Sequence, residues 1–318
     1  IRSGIVLDPF AGSGTSLFAS AERGLDTLGI ELLPIGTEIV EVRKIIFESK
    51  NHDKLKKFLR KWIDEKPWLK EKNGRKLNHI KITNGAFPDK TEKLLGKFLN
   101  AIDKVVDKNY RRILRFALLC VLEEISFTRK DGQYLRWDYR SGRGYGKKKF
   151  DKGEIKDFNE SIAKKLRDIV DDLTGGNSLL DLIKKPTVRL GDVEVLKGSC
   201  LSILPELESN KFDLLMTSPP YCNRYDYTRT YALELALLGT NEEEIRTLRQ
   251  AMMSCTVENK DKENLNELFS KATFQKANAT FEQQEELQTI IRFLEERRIE
   301  KELNNPGIVR MVKNYFYE

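Results

Sequence analysis

The segment from residue 4 to residue 31 limits the fold of this 318-residue chain more than any other feature. An apolar, β-favouring run at residues 4–7 is followed by the glycine turn FAGSGT, which contains Gly12 and Gly14. A helical pattern comes next, and a second apolar run at residues 27–30 ends in Glu31. Strand, glycine turn, helix, strand and acid form the first half of a dinucleotide-type α/β unit. The sequence therefore predicts an α/β fold built on parallel strands.

Each part of this segment suits a nucleoside-bearing cofactor. Glycines lack a Cβ, so a ligand can lie against the backbone where the helix opens. A carboxylate at the end of the second strand can accept hydrogen bonds from both hydroxyls of a ribose. The spacing is GxG without the third glycine of GxGxxG, which disfavours NAD and FAD.

A second feature is TSPPY, at residues 217–221, directly after the apolar run of KFDLLM. Prolines donate no ladder hydrogen bond and fix φ, so the strand must end there. The residues after the strand therefore form a stiff corner that carries a hydroxyl and an aromatic ring. Open α/β sheets place their ligands at such carboxyl ends of strands.

Together, DPFAGSGT and TSPPY resemble the cofactor and catalytic motifs of DNA amino-methyltransferases that depend on S-adenosylmethionine (SAM). These enzymes modify exocyclic nitrogens of cytosine or adenine, commonly in restriction–modification systems. The resemblance implies a Rossmann-like SAM-dependent methyltransferase sheet with a large, mainly helical insertion. It also implies SAM as cofactor, double-stranded DNA as substrate and a cognate restriction endonuclease as partner.

The resemblance implies cofactor contacts in the first loop and at the ends of the next two strands. The residues at these positions are Asp8, Phe10, Gly12, Gly14, Thr15, Glu31 and Ser199. Ser199, in VEVLKGSCLSIL, stands where the family has an acid near the adenine. The expected contact there is a hydroxyl instead.

The resemblance also implies roles for the corner. Ser218 and the carbonyl of Pro219 accept the hydrogens of the target amino group, and Pro220 fixes the direction of that carbonyl. Tyr221 stacks on a base that has been flipped out of the duplex. Methyl transfer is then a direct displacement in which positioning supplies most of the catalysis.

The first letter of SPPY implies cytosine N4 as the acceptor, ahead of adenine N6. Cytosine C5 chemistry needs a thiolate nucleophile, in the family a Pro-Cys pair, and the chain contains no Pro-Cys. Two alternatives from other classes stay open: a non-catalytic DNA-binding component with a relict SAM fold, and a methyltransferase that acts on RNA.

We expect three parts: residues 1–34 (SAM-binding), residues 35–186 (a mainly helical insertion for DNA target recognition) and residues 187–318 (the catalytic part with C-terminal helices). The stretch SFTRKDGQYLRWDYRSGRGYGKKKF mixes basic, aromatic and glycine residues, as a nucleic-acid-facing loop requires. It also fits a β-hairpin that turns at Asp131-Gly132, and the two interpretations are compatible. The candidate DNA contacts are Arg129, Lys130, Gln133, Arg136, Arg140 and, beside the corner, Arg224.

Composition adds weaker limits. The net charge of +7 favours a polyanionic partner. No apolar run approaches the ~20 residues that span a bilayer, and no signal peptide is evident, so we expect a cytoplasmic protein without membrane contact. Four cysteines and two histidines without CxxC spacing predict no metal site. The chain starts at Ile1 without methionine and stops within a helical pattern, so we expect it to be truncated at both ends.

Overall fold

A computed structural model of the chain describes residues 3–49, 52–131, 134–143, 149–174, 189–262 and 265–318. The chain divides into two compact units. Unit 1 comprises Ile1–Thr37, Leu190–Thr228 and Glu243–Glu318, and unit 2 comprises Glu38–Arg189 and Arg229–Glu242. The expected domain boundary between residues 186 and 187 lies outside the described residues.

Unit 1 is built on a four-stranded parallel sheet. Its strands are β1 (Ile5–Asp8), β2 (Asp26–Glu31), β5 (Val193–Lys197) and β6 (Leu214–Leu215), and their order across the sheet is β5-β2-β1-β6. In order of appearance along the chain, these strands lie third, second, first and fourth. The order reverses between β1 and β6, and such a switch point opens the crevice where doubly wound sheets bind their ligands.

The helix α1 (Thr15–Ala21) makes the crossover from β1 to β2, because parallel neighbours cannot be joined by a tight turn. It packs Leu17 and Phe18 into the core. Gly29 of β2 allows this close approach, since a Cβ there would lie 2.6 Å from Leu17 Cδ1.

The other described helices of unit 1 come after β5 in the chain. They are α7 (Cys200–Ile203), α10 (Glu242–Ala251, whose first residue belongs to unit 2), α11 (Leu265–Leu268), α12 (Lys271–Glu282), α13 (Glu285–Ile299) and α14 (Gly307–Tyr317), with α8 (Tyr227–Thr230) shared between the units. Ile30, Cys200, Leu201 and Leu265 form a buried cluster, and Phe10 packs against it. The loop after β1 is thereby anchored to the core through its aromatic ring.

Unit 2 is mainly helical. Its helices are α2 (Pro34–Glu48, which begins in unit 1), α3 (Asp53–Glu65), α4 (Asp89–Asp103), α5 (Lys108–Val121), α6 (Phe158–Asp172) and α9 (Ala232–Leu237). Trp68, Phe98 and Phe158 are completely buried, and neighbouring rings meet edge to face with centroids 5.2 and 5.6 Å apart. Asp107 and Asp157 cap α5 and α6 by accepting hydrogen bonds from backbone N–H groups of the first turn.

The strands β3 (Thr128–Asp131) and β4 (Tyr134–Trp137) pair antiparallel in unit 2. The predicted hairpin is therefore confirmed, although Gly132 and Gln133 at its turn lie outside the described residues. The same holds for residues 144–148 of the basic, glycine-rich stretch.

The predicted α/β fold class, with a parallel sheet and many helices, is confirmed, and the sheet order is that of a Rossmann-like fold. In the part of the chain that the structure describes, every helix is too short or too polar to cross a lipid bilayer.

Candidate cofactor and catalytic site

The two sequence motifs lie side by side at the switch point of the sheet in unit 1. β1 pairs with β6 in register, Leu7 opposite Leu215, and the N–H of Met216 donates to the carbonyl of Leu7 at 3.0 Å. The loop that begins with Asp8 and the corner that begins with Thr217 therefore leave neighbouring strands at the same edge.

A buried carboxylate joins these two segments. Asp8 is 4% exposed, and its Oδ1 accepts hydrogen bonds from the Phe10 N–H at 3.0 Å and from the Thr217 hydroxyl at 2.8 Å. Its Oδ2 accepts from the Ser16 hydroxyl at the start of α1. Buried charged groups are stable only when they are hydrogen-bonded in this way. Asp8 thus fixes the cofactor loop and the corner relative to each other.

The glycine loop depends on backbone conformations that favour glycine. Gly12 has φ of +54° and Gly14 has φ of +75°, so both lie in the left-handed region. The loop closes through two backbone bonds, from the Ala11 N–H to the Ile30 carbonyl at 3.0 Å and from the Gly14 N–H to the Ala11 carbonyl at 2.7 Å. Thr15, directly after the loop, is exposed.

Glu31 lies at the end of β2, next to this loop. Its Oε2 accepts a hydrogen bond from the Gly12 N–H at 2.8 Å, and its Oε1 accepts from the Leu33 N–H at 2.7 Å. Gly36 makes room for the side chain, because a Cβ there would lie 2.6 Å from the carboxyl carbon. Burial raises the pKa of Glu31 to about 7, with a smaller contribution from Asp8, although the backbone hydrogen bonds act in the opposite direction.

The corner presents its polar and aromatic groups to solvent. Ser218 is exposed, and the ring of Tyr221 is 64% exposed. Among the residues that the structure describes, none donates a hydrogen bond to Ser218 Oγ or to the Pro219 carbonyl. Two acceptors and one aromatic face are thus available side by side.

Ser199 follows β5 and is half-buried. Its hydroxyl donates to the carbonyl of Ala251, at the end of α10, at 2.7 Å. It lines a cavity of about 470 Å³ whose other walls include Leu201, Gln250 and Lys262. A backbone bond from the Gly198 N–H to the Glu31 carbonyl, 3.0 Å long, keeps the ends of β2 and β5 level.

Arg224 follows the corner within unit 1. It has φ of +67°, its N–H donates to the Cys255 carbonyl at 3.0 Å, and its guanidinium reaches Asn304 at 3.4 Å. Its buried Nε has no hydrogen-bond partner among the described residues. Two residues later, the buried Asp226 pairs with Arg249 at 3.0 Å and holds this segment on α10.

Known proteins are similar to nearly the whole of this chain. Type II methyltransferase M.AvaI from Nostoc sp. and its namesake from Anabaena variabilis are each 50% identical to the chain over 318 residues. Type II methyltransferase M.BsoBI from Geobacillus stearothermophilus is 40% identical over 333 residues.

The chain is similar to type II methyltransferases. The matches cover 98% of this chain but 63% of each relative, so it spans less than two thirds of their length. No family model matches the chain, and no solved structure matches it.

In unit 2, two residues predicted to contact DNA, Lys130 and Arg140, form ion pairs with carboxylates of the protein itself. Lys130 Nζ lies 2.5 Å from Oε1 of Glu234, and Glu234 is only 5% exposed. Burial raises the pKa of Glu234, although the nearby Lys130 acts in the opposite direction. Arg140 binds both carboxylate oxygens of the buried Asp138, at 2.7 and 2.9 Å, and holds the pKa of that carboxyl well below its usual range. These two cations stabilise the hairpin region.

Two other residues of the hairpin that were predicted to contact DNA, Arg129 and Arg136, are exposed to solvent. Their guanidinium groups lie 5.9 and 4.3 Å from the centroid of the Phe150 ring. Arg136 also pairs with the half-exposed Asp131 at 3.1 Å. Gln133 lies outside the described residues.

Sequence reasoning gave no role to Thr217 or Ser16, which hold Asp8. The available signal was position: successive side chains of an extended segment point to opposite sides, so Thr217 and Ser218 cannot face the same way. Thr217, although exposed, directs its hydroxyl to Asp8 of β1, whereas the hydroxyl of the exposed Ser218 meets no described residue.

We expect Thr217→Val to destabilise the protein by about 1.5–3 kcal/mol, because the buried Asp8 carboxylate loses a charge-assisted hydrogen bond. Urea denaturation measures the free energy of unfolding. The matched control is Thr247→Val, which loses a hydroxyl bonded to the Glu243 carbonyl on an exposed helix surface. Equal effects of the two substitutions would contradict the role given to Thr217.

Proposed function

We propose that this chain carries the cofactor and catalytic sites of a SAM-dependent DNA methyltransferase, with the exocyclic N4 of cytosine in duplex DNA as acceptor. One observation carries the proposal: Asp8 joins the glycine loop to the TSPPY corner at the switch point of the sheet. A cofactor in the loop and a base at the corner would then meet across a single crevice. The similarity to type II methyltransferases supports the same chemistry.

The residues of unit 1 fit SAM. The carboxylate oxygens of Glu31 accept the N–H groups of Gly12 and Leu33, which hold them at the end of β2 where they would also accept the ribose hydroxyls. Gly12 and Gly14 leave the loop backbone open to the methionine portion, with Phe10 and Thr15 beside it. The cavity at Ser199 suits the adenine, whose amino group can donate to the serine oxygen.

The corner supplies the chemistry on the protein side. An exocyclic amino nitrogen is a weak nucleophile because its lone pair is delocalised into the ring. Ser218 Oγ and the Pro219 carbonyl accept its two hydrogens and favour a tetrahedral nitrogen with a directed lone pair. Pro220 limits the motion of that carbonyl, and the exposed ring of Tyr221 stacks on the flipped base.

Bound SAM supplies an electrophilic methyl group on a sulfonium. The amino nitrogen held by Ser218 and Pro219 would displace the sulfonium, which would leave with the electron pair of the broken bond, and the nitrogen would then lose one proton. This displacement requires no covalent bond to the enzyme. The task of the protein is to hold two reactants in line.

Cytosine N4 is proposed as the acceptor because Ser218 opens the SPPY motif, and adenine N6 is the alternative. For the whole protein, a cytoplasmic role beside a cognate restriction endonuclease belongs to the same proposal. Unit 2 is proposed to read the DNA target. The exposed Arg129 and Arg136 would contact phosphates there, Gln133 is kept as a further candidate contact from the sequence, and Arg224 would contact the flipped nucleotide.

Methyl transfer from labelled SAM to mixed-sequence duplex DNA, followed by nucleoside mass spectrometry, tests the chemistry. We expect N4-methylcytosine from the wild type and about a 100-fold lower rate from Ser218→Ala, by analogy with the removal of one stabilising group in other active sites. Tyr221→Ala should also lose activity, and Thr247→Val should keep it.

N6-methyladenine as the product would overturn the inference from Ser218. SAM binding without any product on DNA, but with methylated RNA, would move the substrate to RNA. Retained DNA binding without SAM binding would favour the non-catalytic alternative.

SAM affinity should depend on pH through Glu31. The folded-state pKa near 7 lies above the ordinary value of 4.5, so the carboxylate takes up a proton as the pH falls through 7. Only the ionised form accepts both ribose hydroxyls, so affinity should fall by about tenfold from pH 8 to pH 6, as expected for a pKa of that value. Calorimetry on wild type and Glu31→Gln measures this difference.

The Glu31→Gln variant should bind weakly at both pH values, which separates Glu31 from the titration of SAM itself. An equal change with pH in both proteins would contradict the assignment of Glu31.

DNA contact by the hairpin has a separate test in the salt dependence of binding to mixed-sequence duplex DNA. Replacing Arg129 and Arg136 together by alanine should reduce the slope of log K against log salt by about two, since each phosphate contact contributes about one. The control Lys93→Ala removes an exposed charge from α4 of the same unit and should leave the slope unchanged. An unchanged slope in the double variant would exclude the hairpin from the interface.

A further inference from the structure

The carbonyl of Pro220 is held by a side chain that is distant in sequence. The hydroxyl of Tyr315, on α14, donates a hydrogen bond to this carbonyl at 2.7 Å. Pro219 and Pro220 have no N–H, so the corner cannot orient itself through a backbone ladder. A donor from another element of unit 1 supplies the missing restraint.

The helix that carries Tyr315 is itself firmly attached. The side chain of Glu318, directly after α14, is 1% exposed and accepts hydrogen bonds from the Ser254 N–H at 2.8 Å, from the Ser254 hydroxyl at 2.6 Å and from Lys262 at 2.6 Å. Tyr315 thus acts from a fixed platform. On the same helix, Tyr317 makes a separate hydrogen bond, which it donates to Asn278 at 2.6 Å.

The corner is consequently restrained on both sides of its reactive groups. Thr217 is bound to Asp8 at one end, and Pro220 is bound to Tyr315 at the other, 2.8 and 2.7 Å respectively. Between these bonds lie Ser218 Oγ and the Pro219 carbonyl, the two acceptors that no described residue occupies. The restraints leave the acceptors open while limiting their directions.

We propose that Tyr315 is a positioning residue for methyl transfer, which rests on the proposed function of the corner. Its hydrogen bond fixes the plane of the peptide between Pro220 and Tyr221. That plane sets the direction in which the Tyr221 ring leaves the chain, and it limits rotation of the neighbouring Pro219 carbonyl. In this role Tyr315 acts through the corner and not directly on the base or the cofactor.

The chemistry of the phenol suits this role. Burial raises the pKa of Tyr315, with smaller contributions from Cys222 and Cys255, so the hydroxyl keeps its proton and stays a donor. Replacement by phenylalanine removes only that donor and keeps the ring, which packs against Phe316 with centroids 5.1 Å apart.

The test compares Tyr315→Phe with Tyr317→Phe, which lies on the same helix and loses one hydroxyl hydrogen bond of similar length. Tyr315→Phe should lower kcat for methyl transfer by about tenfold, the upper range for one hydrogen bond, with the Kd for SAM within about twofold of wild type. Tyr317→Phe should keep kcat within about twofold. Equal kcat losses in the two variants, or no loss in Tyr315→Phe, would overturn the proposal.

A second readout does not need methyl transfer. Cys222 is half-buried two residues beyond Pro220, and its alkylation rate reports opening of the corner, while the exposed Cys120 serves as internal reference. Mass spectrometry should show faster alkylation of Cys222 relative to Cys120 in Tyr315→Phe, but not in Tyr317→Phe.

The two readouts separate the two proposals. A wild type that methylates no nucleic acid, with Cys222 nevertheless faster only in Tyr315→Phe, would reject the proposed function and support the restraint of the corner by Tyr315. An active wild type in which Tyr315→Phe changes neither kcat nor the Cys222 rate would reject the role of Tyr315 alone.

Discussion

The carboxylate of Asp8 is the group on which the candidate site depends. It sits at the end of β1 with 4% of its surface exposed, and it accepts hydrogen bonds from the loop after β1, from the start of α1 and from the corner after β6. A buried charge tolerates few alternative arrangements, because each lost hydrogen bond leaves it undersolvated. The glycine loop and the corner are therefore committed to one mutual geometry. Methyl transfer needs such pre-organisation, since it gains most of its rate from alignment.

In unit 2, buried carboxylates bind basic side chains instead of backbone and hydroxyl donors. Glu234 pairs with Lys130, and Asp138 pairs with Arg140. Loss of either cation would leave a buried carboxylate without its charged partner, which makes these lysine and arginine side chains part of the fold. The net positive charge thus overstates the surface available to a polyanion. The exposed arginines of the hairpin remain the best candidates for phosphate contact.

Sequence patterns predicted the local parts of this protein well. The alternation of strand, glycine turn and helix located β1, α1 and β2. A strand was also predicted directly ahead of the prolines, but β6 ends at Leu215, four residues before Pro219. Gly12 and Gly14 could be predicted because left-handed backbone is a local demand that few other residues meet. The hairpin of β3 and β4 followed from short-range turn chemistry in the same way.

Contacts between distant residues could not be predicted. Lys130 meets Glu234 across 104 positions, and Tyr315 meets Pro220 across 95. No periodicity encodes such pairs, and a basic residue in an aromatic stretch reads the same whether it faces DNA or a buried acid. The role of Thr217 was missed for a related reason, since its partner Asp8 lies 209 positions away.

Hydrogen–deuterium exchange with and without SAM tests most directly whether the two motifs form one site. We expect SAM to protect backbone amides in residues 8–15 and 26–33 and also to slow exchange in residues 221–224, directly after the corner. The corner should respond because Asp8 couples it to the loop, even before DNA is added. Protection confined to unit 2, or protection of the loop with no change after the corner, would contradict the coupling through Asp8.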